Sequence, residues 1–193
     1  SSCCDTSAPP SLAVDGPQNG TGRQHWGVHL DVRPCTAKDM ARLVADAAPR
    51  DRQFHESSWA LQERDEALYL LAWRDGACVG NVTLLFRSRY DDVRRTLGDF
   101  PELNGLGTRR RGEGIGTALI REAERLAQQR GATQVGLAVT LDNPRARGLY
   151  ERLGYRDWGH GGIVDRWTEY DERGNPLTDH ADDCNYLTRL LLG

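Results

Sequence analysis

Residues 109–117 of this 193-residue chain read RRRGEGIGT, and this stretch decides the fold. Its glycines stand at alternate positions, where a backbone without Cβ atoms turns tightly and exposes several N–H groups. From Ile115 onward, apolar side chains recur at helical spacing, opposite polar side chains such as Arg121 and Glu122. The stretch therefore predicts a glycine loop that opens into an amphipathic helix, which ends at Gly131.

A glycine loop before a helix is suited to an anion, because its N–H groups and the positive end of the helix dipole attract a pyrophosphate. Two familiar nucleotide loops do not fit. A dinucleotide fingerprint requires glycine or alanine three residues after its second glycine, where this chain has Leu119. A Walker loop requires Gly-Lys-Ser/Thr, which the stretch lacks. The pattern that remains is Arg-x-x-Gly-x-Gly, at residues 111–116.

Composition narrows the classes of function. A formal net charge of -3 gives no electrostatic case for nucleic acid, and the arginines at 109–111 already adjoin the predicted phosphate loop. No apolar run approaches the length of a membrane span, and no charged-then-apolar leader is seen. The five cysteines show no metal-ligand spacing. We therefore expect reduced thiols, no metal site, no membrane partner and a cytoplasmic location.

The chain length favours one domain. Residues 1–26 are rich in Ser, Pro and Gly with few large apolar side chains, so we expect a flexible tail before a single domain at 27–193. The order of periodic segments is of the α/β type. Strands are expected at 28–33, 67–73, 77–86, 102–108, 134–139, 155–158, 163–168 and 185–192. Helices are expected from a Thr36–Asp39 capping box to Pro49, over 52–66, from Ile115 to Gly131 and from an Asn143 cap to Gly154, with an irregular loop at 87–100.

A second motif lies one helix and one strand after the glycine loop. Residues 143–155 read NPRARGLYERLGY, with an Asn, a Tyr and a final Leu-Gly-Tyr. Together with 111–116, this run resembles the GNAT N-acetyltransferases, and the resemblance covers roughly 28–192. It implies an α/β (α+β) fold with a mixed, mostly antiparallel central sheet, a splayed parallel strand pair and flanking helices. It also implies acetyl-CoA as co-substrate.

The resemblance implies where acetyl-CoA lies. In the family it occupies the gap between two splayed parallel strands, here 102–108 and 134–139. Backbone near the end of the first strand would bind the acetyl carbonyl and the pantetheine arm, and the glycine loop would hold the pyrophosphate. The implied cofactor-binding residues are Leu106, Gly107, Thr108, Arg111, Gly112, Glu113, Gly114, Ile115, Gly116, Thr117, Asn143 and Tyr150.

Three residues are candidates for the chemistry of acyl transfer. The Leu106 N–H is expected to stabilise the tetrahedral oxyanion. Tyr150 is expected near the sulfur, and its phenol, with an ordinary pKa of about 10, stays protonated at neutral pH and can protonate the leaving thiolate. Glu102 is the first choice for the base that accepts the amine proton, because GNAT bases often sit on that strand. The alternative for Glu102 is a solvated carboxylate beside Pro101, and weaker base candidates are His160, Glu169 and Asp99.

The segment 165–183 is rich in acids and aromatics, and it predicts either a solvated loop or a surface that recruits a cationic amine by charge and cation–π contact. Its acids are Asp165, Glu169, Asp171, Glu172, Asp179, Asp182 and Asp183. The leading hypothesis is N-acetylation of a small, cationic primary amine. Peptide or protein N-acetylation is an alternative enzyme function, and a non-catalytic acyl-CoA-binding module is an alternative of another class. A homodimer is compatible with the sequence.

Overall fold

The computed structural model describes residues 30–171, 173 and 175–191, so the predicted tail at 1–26 lies outside the described residues. Within the described part, one sheet is flanked by helices. Its elements are β1 (Asp31–Pro34), α1 (Ala37–Asp46), α2 (Pro49–Glu63), β2 (Ala67–Arg74), β3 (Ala77–Leu85), α3 (Asp91–Leu97), β4 (Glu102–Thr108), α4 (Ile115–Gln129), β5 (Gln134–Thr140), α5 (Pro144–Arg152), β6 (Arg156–Tyr170) and β7 (Pro176–Leu190).

The described strands form a seven-stranded sheet in the order β1-β2-β3-β4-β5-β7-β6. Every neighbouring pair is antiparallel except β4 and β5, which are parallel. The parallel ladder covers only the pairs Glu102–Gly136 and Leu103–Leu137, whereas β4 stays paired with β3 as far as Thr108. The two strands therefore part after Leu103, and the expected mixed sheet with a splayed parallel pair is confirmed.

The first helix begins at the predicted capping box. Thr36 Oγ1 accepts from the Asp39 N–H at 3.3 Å, and Asp39 Oδ2 accepts from the Thr36 N–H at 2.9 Å. Pro49 does not close this helix as expected but is the first residue of α2. The first position of a helix suits proline, because its N–H would have no partner there and its φ is already helical.

The main core lies on the α4 side of the sheet. Buried Leu119, Ile120 and Ala123 of α4 pack with strand residues, with Tyr150 of α5 and with Leu153 directly after it. The other face carries two smaller clusters. One lies against α1 and α2, and the other lies against α3 and the β6–β7 hairpin. One cluster contains Cys35, Met40, Leu43, Tyr69, Leu71 and Trp73, and the other contains Val93, Phe100, Trp158, Ile163, Cys184 and Tyr186.

The segment 87–100 is not an irregular loop throughout, because it contains α3. Its acids stand in the first turn and its arginines in the last, which is the arrangement that the helix dipole favours. The same charges form ion pairs three residues apart, Asp91 with Arg94 and Asp92 with Arg95. The mixed charge pattern at 87–100 thus belonged to a short helix with one buried side chain, Val93.

The acidic segment 165–183 is not a loop between two short strands, because β6 and β7 are each 15 residues long and form one hairpin. Cross-strand pairs such as Asp165–Asp182 and Trp167–His180 alternate with pairs such as Thr168–Asp179 and Val164–Asp183. Side chains of successive pairs point to opposite faces. Asp165, Glu169 and Asp182 therefore lie on one face of the hairpin, and Asp179 and Asp183 lie on the other.

Candidate active site

A cleft opens where β4 and β5 part. The cavity within it has a volume of about 40 Å³ and is partly open to solvent. The three predicted catalytic residues, Glu102, Leu106 and Tyr150, all line it. The other lining residues are Val82, Tyr90, Leu103, Asn104, Gly105, Ile120, Ala138, Thr140, Asp165 and Cys184.

A bulge in β4 forms one wall of this cleft. The β3–β4 pairing steps from Asn81–Gly107 to Thr83–Asn104, which leaves Gly105 and Leu106 in the irregularity. Gly105 has a φ of 63°, and a Cβ there would lie 2.5 Å from the Phe54 ring, so a side chain at this position meets both strain and a clash.

The bulge is held from β3 as well. Asn81 Nδ2 donates to the Gly105 carbonyl oxygen at 2.9 Å. Neither Asn81 nor Phe54 was singled out from the sequence. An isolated Asn in an apolar strand and a bulky residue in a helix carry no local signal for a partner more than 20 residues away.

The glycine loop follows directly from β4. The Arg109 N–H donates to the Val79 carbonyl at 2.9 Å, and the chain then turns through Gly112 and Gly114 with φ of 80° and 75°. Gly114 is the N-cap of α4. A Cβ at either glycine would have no atom within 4 Å, so the backbone of the loop is open on that side. The exposed loop at the start of a helix fits a pyrophosphate.

Glu113 is an acid in a loop that would hold an anion, and its carboxylate is already paired. Arg74 of β2 forms an ion pair with it, and Arg110 lies 3.8 Å away. Because a carboxylate repels phosphate, we expect any contact of Glu113 with the coenzyme to come from its backbone N–H.

The α5 helix begins as predicted and brings Tyr150 to the cleft. Asn143 Oδ1 accepts from the Ala146 N–H at 3.0 Å, with proline at the first helical position. Tyr150 is buried, and its ring contacts Tyr155 edge-on at 5.9 Å between centroids. Asn143 is not among the residues that line the cleft.

Glu102 has a different environment from the solvated carboxylate that we considered. It is 1% exposed, and its Oε2 accepts from Ser88 Oγ at 2.5 Å and from the Tyr186 hydroxyl at 2.9 Å. Burial raises the pKa of Glu102 to about 7, against the opposing effect of those hydrogen bonds. A buried carboxyl group that titrates near neutral pH can accept a proton at physiological pH. The solvated alternative is therefore wrong.

The weaker base candidates do not share the cleft. His160, Glu169 and Asp99 are absent from its lining. Glu169 lies 3.3 Å from His180 on the hairpin, and His160 contacts the Trp158 ring edge-on at 5.1 Å.

Comparison with known proteins places the chain in a family. Residues 37–155, more than half of the chain, match the model of the acetyltransferase (GNAT) family. The chain belongs to this family. GNAT proteins use acetyl-CoA, and membership of this family makes the protein an acyltransferase.

Solved structures share the GNAT fold at low sequence identity. An N-acetyltransferase from Staphylococcus aureus Mu50 is 13% identical with a TM-score of 0.60, over 85% of this chain and 99% of the other. A ribosomal-protein-alanine N-acetyltransferase from Brucella melitensis is 18% identical with a TM-score of 0.57, over 82% and 98%. The yncA protein from Salmonella typhimurium, solved with its cofactor acetyl-CoA, is 15% identical with a TM-score of 0.56, over 86% and 95%. At this level of sequence identity, the similarity shows a shared fold and does not identify the acceptor.

One structural observation bears on membranes. Among the residues that the structure describes, no helix combines the length and the apolar character needed to cross a bilayer.

Proposed function

We propose that this GNAT enzyme transfers the acetyl group of acetyl-CoA to the primary amine of a small, cationic molecule by direct attack. One observation carries the proposal: Glu102, Leu106 and Tyr150, which suit the base, the oxyanion donor and the acid, line a single cleft at the point where β4 and β5 part. Direct attack requires these three groups to reach the same reacting atoms.

Acetyl-CoA supplies the thioester, and this chain supplies the surfaces that hold it. Residues 106–108 bind the acetyl carbonyl and the pantetheine arm through the backbone. The loop at 111–117 holds the pyrophosphate, since its glycines expose N–H groups at the start of α4. Asn143 approaches the pantetheine from the start of α5.

Glu102 accepts a proton from the attacking amine, which must be neutral at nitrogen to form the new C–N bond. Its raised pKa, about 7, makes it a base near neutral pH. The Leu106 N–H stabilises the oxyanion that forms on the carbonyl oxygen, and one such donor contributes about 3 kcal/mol to the transition state.

Tyr150 donates its phenolic proton to the thiolate when the C–S bond breaks. The amine has then lost one proton to Glu102, and the sulfur has gained one from Tyr150. Return of the proton from Glu102 to the tyrosine, directly or through solvent, restores the enzyme. The products are the N-acetyl amine and free CoA.

The β6–β7 hairpin supports a cationic acceptor. Asp165 lines the cleft, and Asp182, Trp167, His180 and Glu169 occur in the cross-strand pairs of the same face. Trp167 stacks on His180 with centroids 4.0 Å apart, between the acids of this face. Acids beside a flat aromatic surface attract an organic cation by charge and by cation–π contact.

A panel of acceptors tests the function. Purified protein and acetyl-CoA are incubated with small mono- and polyamines, amino acids and neutral and basic peptides, while free CoA thiol and acetylated product are measured. We expect turnover with cationic small amines in preference to peptides. Preference for a peptide would favour the alternative acceptor class, and no amine-dependent thiol release in protein that binds acetyl-CoA would defeat the proposal.

Two matched variants test the hairpin face. Neutralising Glu169 and Asp182 together should raise the KM of a cationic acceptor and flatten its dependence on salt, because salt screens exposed charges. Neutralising Asp179 and Asp183, which occur in pairs of the opposite face, removes the same charge and should leave KM unchanged. An equal effect of both variants would remove the case for a cationic acceptor while leaving acetyl transfer in place.

A further inference from the structure

Two hydroxyl groups from distant parts of the chain converge on Glu102. Ser88 lies between β3 and α3, Tyr186 lies on β7, and both donate to the same oxygen, Oε2. We propose that Ser88 and Tyr186 are positioning residues that fix the Glu102 carboxylate in the cleft and favour its ionised form, ready for the amine proton. The proposal rests on the proposed function, in which Glu102 is the base.

Tyr186 reaches Glu102 across a whole strand. Its pairing partner on β5 is Ala138, while Glu102 pairs with Gly136 on the far side of β5. A Cβ at Gly136 would overlap the tyrosine hydroxyl and would lie 2.7 Å from its Cζ and 2.8 Å from Phe100. Gly136 has no positive φ, so its backbone conformation does not require glycine. Glycine is needed there because a side chain would occupy the space through which the Tyr186 phenol crosses β5.

The ring of Tyr186 is held rigidly. It is fully buried, and three aromatic rings contact it edge-on: Tyr90 at 5.8 Å, Trp158 at 5.6 Å and Phe100 at 6.5 Å between centroids. A phenol confined in this way presents its hydroxyl at one place, which is what a positioning group requires.

Ser88 is oriented by its own neighbours. Its Oγ accepts from the Tyr90 N–H at 3.3 Å, and its carbonyl accepts from Arg94 of α3 at 2.5 Å. The Ser88 Oγ also lies 3.3 Å from the Tyr186 hydroxyl, and each hydroxyl makes its shortest hydrogen bond to Glu102, at 2.5 Å from Ser88 and 2.9 Å from Tyr186. The two donors therefore approach one carboxylate oxygen from two different elements of the fold.

The other charged and titratable groups around Glu102 are few. Arg89 lowers the pKa of Glu102 through its charge and through a hydrogen bond from its backbone N–H, and its guanidinium is paired with Asp165 of β6 at 2.5 Å. Tyr90 and Tyr186 are the buried phenols, and both remain protonated because burial raises their pKa. The hydrogen bonds from Ser88 and Tyr186 lower the pKa of Glu102 and offset part of the effect of burial.

The pH profile of kcat/KM tests the proposal. In Ser88→Ala and Tyr186→Phe, the ionised Glu102 carboxylate loses one hydrogen bond, so the pKa of Glu102 should rise. The acidic limb of the kcat/KM profile should therefore move to higher pH by about one unit. The same amine is used throughout, so its own titration is common to all variants. Gly136→Ala, which displaces the hydroxyl without removing it, should move the limb in the same direction.

Tyr155→Phe is the matched control. It removes a hydrogen bond of the same kind and length, from a fully buried tyrosine to the buried Glu124 at 2.9 Å, away from the cleft. A purely structural role for Ser88 and Tyr186 would lower thermal stability, as in this control, and leave the acidic limb in place. That result overturns the proposal.

Failure of the proposed function gives a different result. If Glu102→Gln retains wild-type turnover, Glu102 is not the base, and the assignment under the proposed function fails with it. If Glu102→Gln is inactive and the limb of Ser88→Ala, Tyr186→Phe and Gly136→Ala stays at the wild-type pH, only the positioning role fails. Thermal unfolding and acetyl-CoA binding check that each variant is folded.

Discussion

Glu102 and Glu124 are two buried glutamates, and each is hydrogen-bonded by the hydroxyl of a buried tyrosine. Each accepts a hydrogen bond at 2.9 Å from a fully buried tyrosine, Tyr186 for Glu102 and Tyr155 for Glu124. Their charged neighbours differ. Glu124 forms ion pairs with Arg121 and Arg189, whereas among the described residues Glu102 forms none.

Under the proposed function, this difference separates a structural carboxylate, Glu124, from a reactive one, Glu102. Glu124 joins α4 to β7 outside the cleft, and its charge is compensated. Glu102 lines the cleft and forms no ion pair within the described part of the chain, and burial raises its pKa to about 7. A buried carboxylate without a cationic partner opposes folding when ionised, and such a group in a cleft is a candidate for the base that we propose.

The largest effect is expected for Glu102→Gln. The amide fills the same space but cannot accept the amine proton, so kcat/KM should fall by about 10²- to 10⁴-fold, the usual contribution of a positioned base. Glu124→Gln is the matched change and should keep turnover within about twofold of wild type. Steady-state release of CoA thiol measures both. Equal losses of activity in the two variants would break the distinction between the two glutamates.

The raised pKa of Glu102 should also appear in the pH dependence of the free energy of unfolding. Its pKa rises from 4.5 in the unfolded chain to about 7 in the native state, so the native state binds more protons between these values. The free energy of unfolding of the wild type, relative to Glu102→Gln, is therefore highest below pH 4.5 and falls as the pH rises through 7. The fall is at most about 3 kcal/mol.

Denaturant unfolding of both proteins from pH 4 to 8 measures this difference. Taking it against the Gln variant removes the contribution of other carboxyl groups, such as Asp39, whose pKa is held below its usual range by Arg33. A difference that rises with pH would mean that Glu102 is stabilised as an anion, as a paired structural glutamate is.

Glu124→Gln should act on stability instead. It leaves Arg189 and Arg121 without a carboxylate in a partly buried network, at about 2 kcal/mol. This is less than for a fully buried pair, because both arginines reach solvent. Glu122→Gln, which breaks an exposed pair with Arg125 on the same helix, should cost about 0.5 kcal/mol. Similar costs in chemical denaturation would place Glu124 among ordinary surface pairs.

The strand, loop and helices from β4 to α5 were predicted well because their sequence features are local. The glycine loop, the apolar stripe of α4 and the Asn143 cap are each formed by residues only a few positions apart. The bounds of β4 were also predicted correctly. Local backbone chemistry and helical spacing suffice for such elements.

The surroundings of Glu102 and the β6–β7 hairpin were predicted less well because their contacts are long-range. Ser88, Glu102 and Tyr186 are brought together by strand order, and no spacing in the sequence relates them. The long hairpin was divided into short strands because its polar residues occur on both faces, which resembles a loop when only one buried face is expected.

A third polar contact extends the comparison to Asn81, which donates to the Gly105 carbonyl in the β4 bulge, three residues beyond Glu102. If the contact serves the Leu106 N–H, Asn81→Ala should lower kcat about tenfold, since a misplaced oxyanion donor loses part of a contribution of about 3 kcal/mol. Stability should change by about 1 kcal/mol or less, because Asn81 is only half-buried. Thr83→Val is the control on the same strand: it removes the buried hydrogen bond from Thr83 to Ser58 at 3.0 Å without touching Gly105. If Asn81→Ala loses turnover and keeps its stability, Asn81 serves the chemistry, as we propose for Glu102. If it loses stability and keeps its turnover, Asn81 is a structural residue like Glu124.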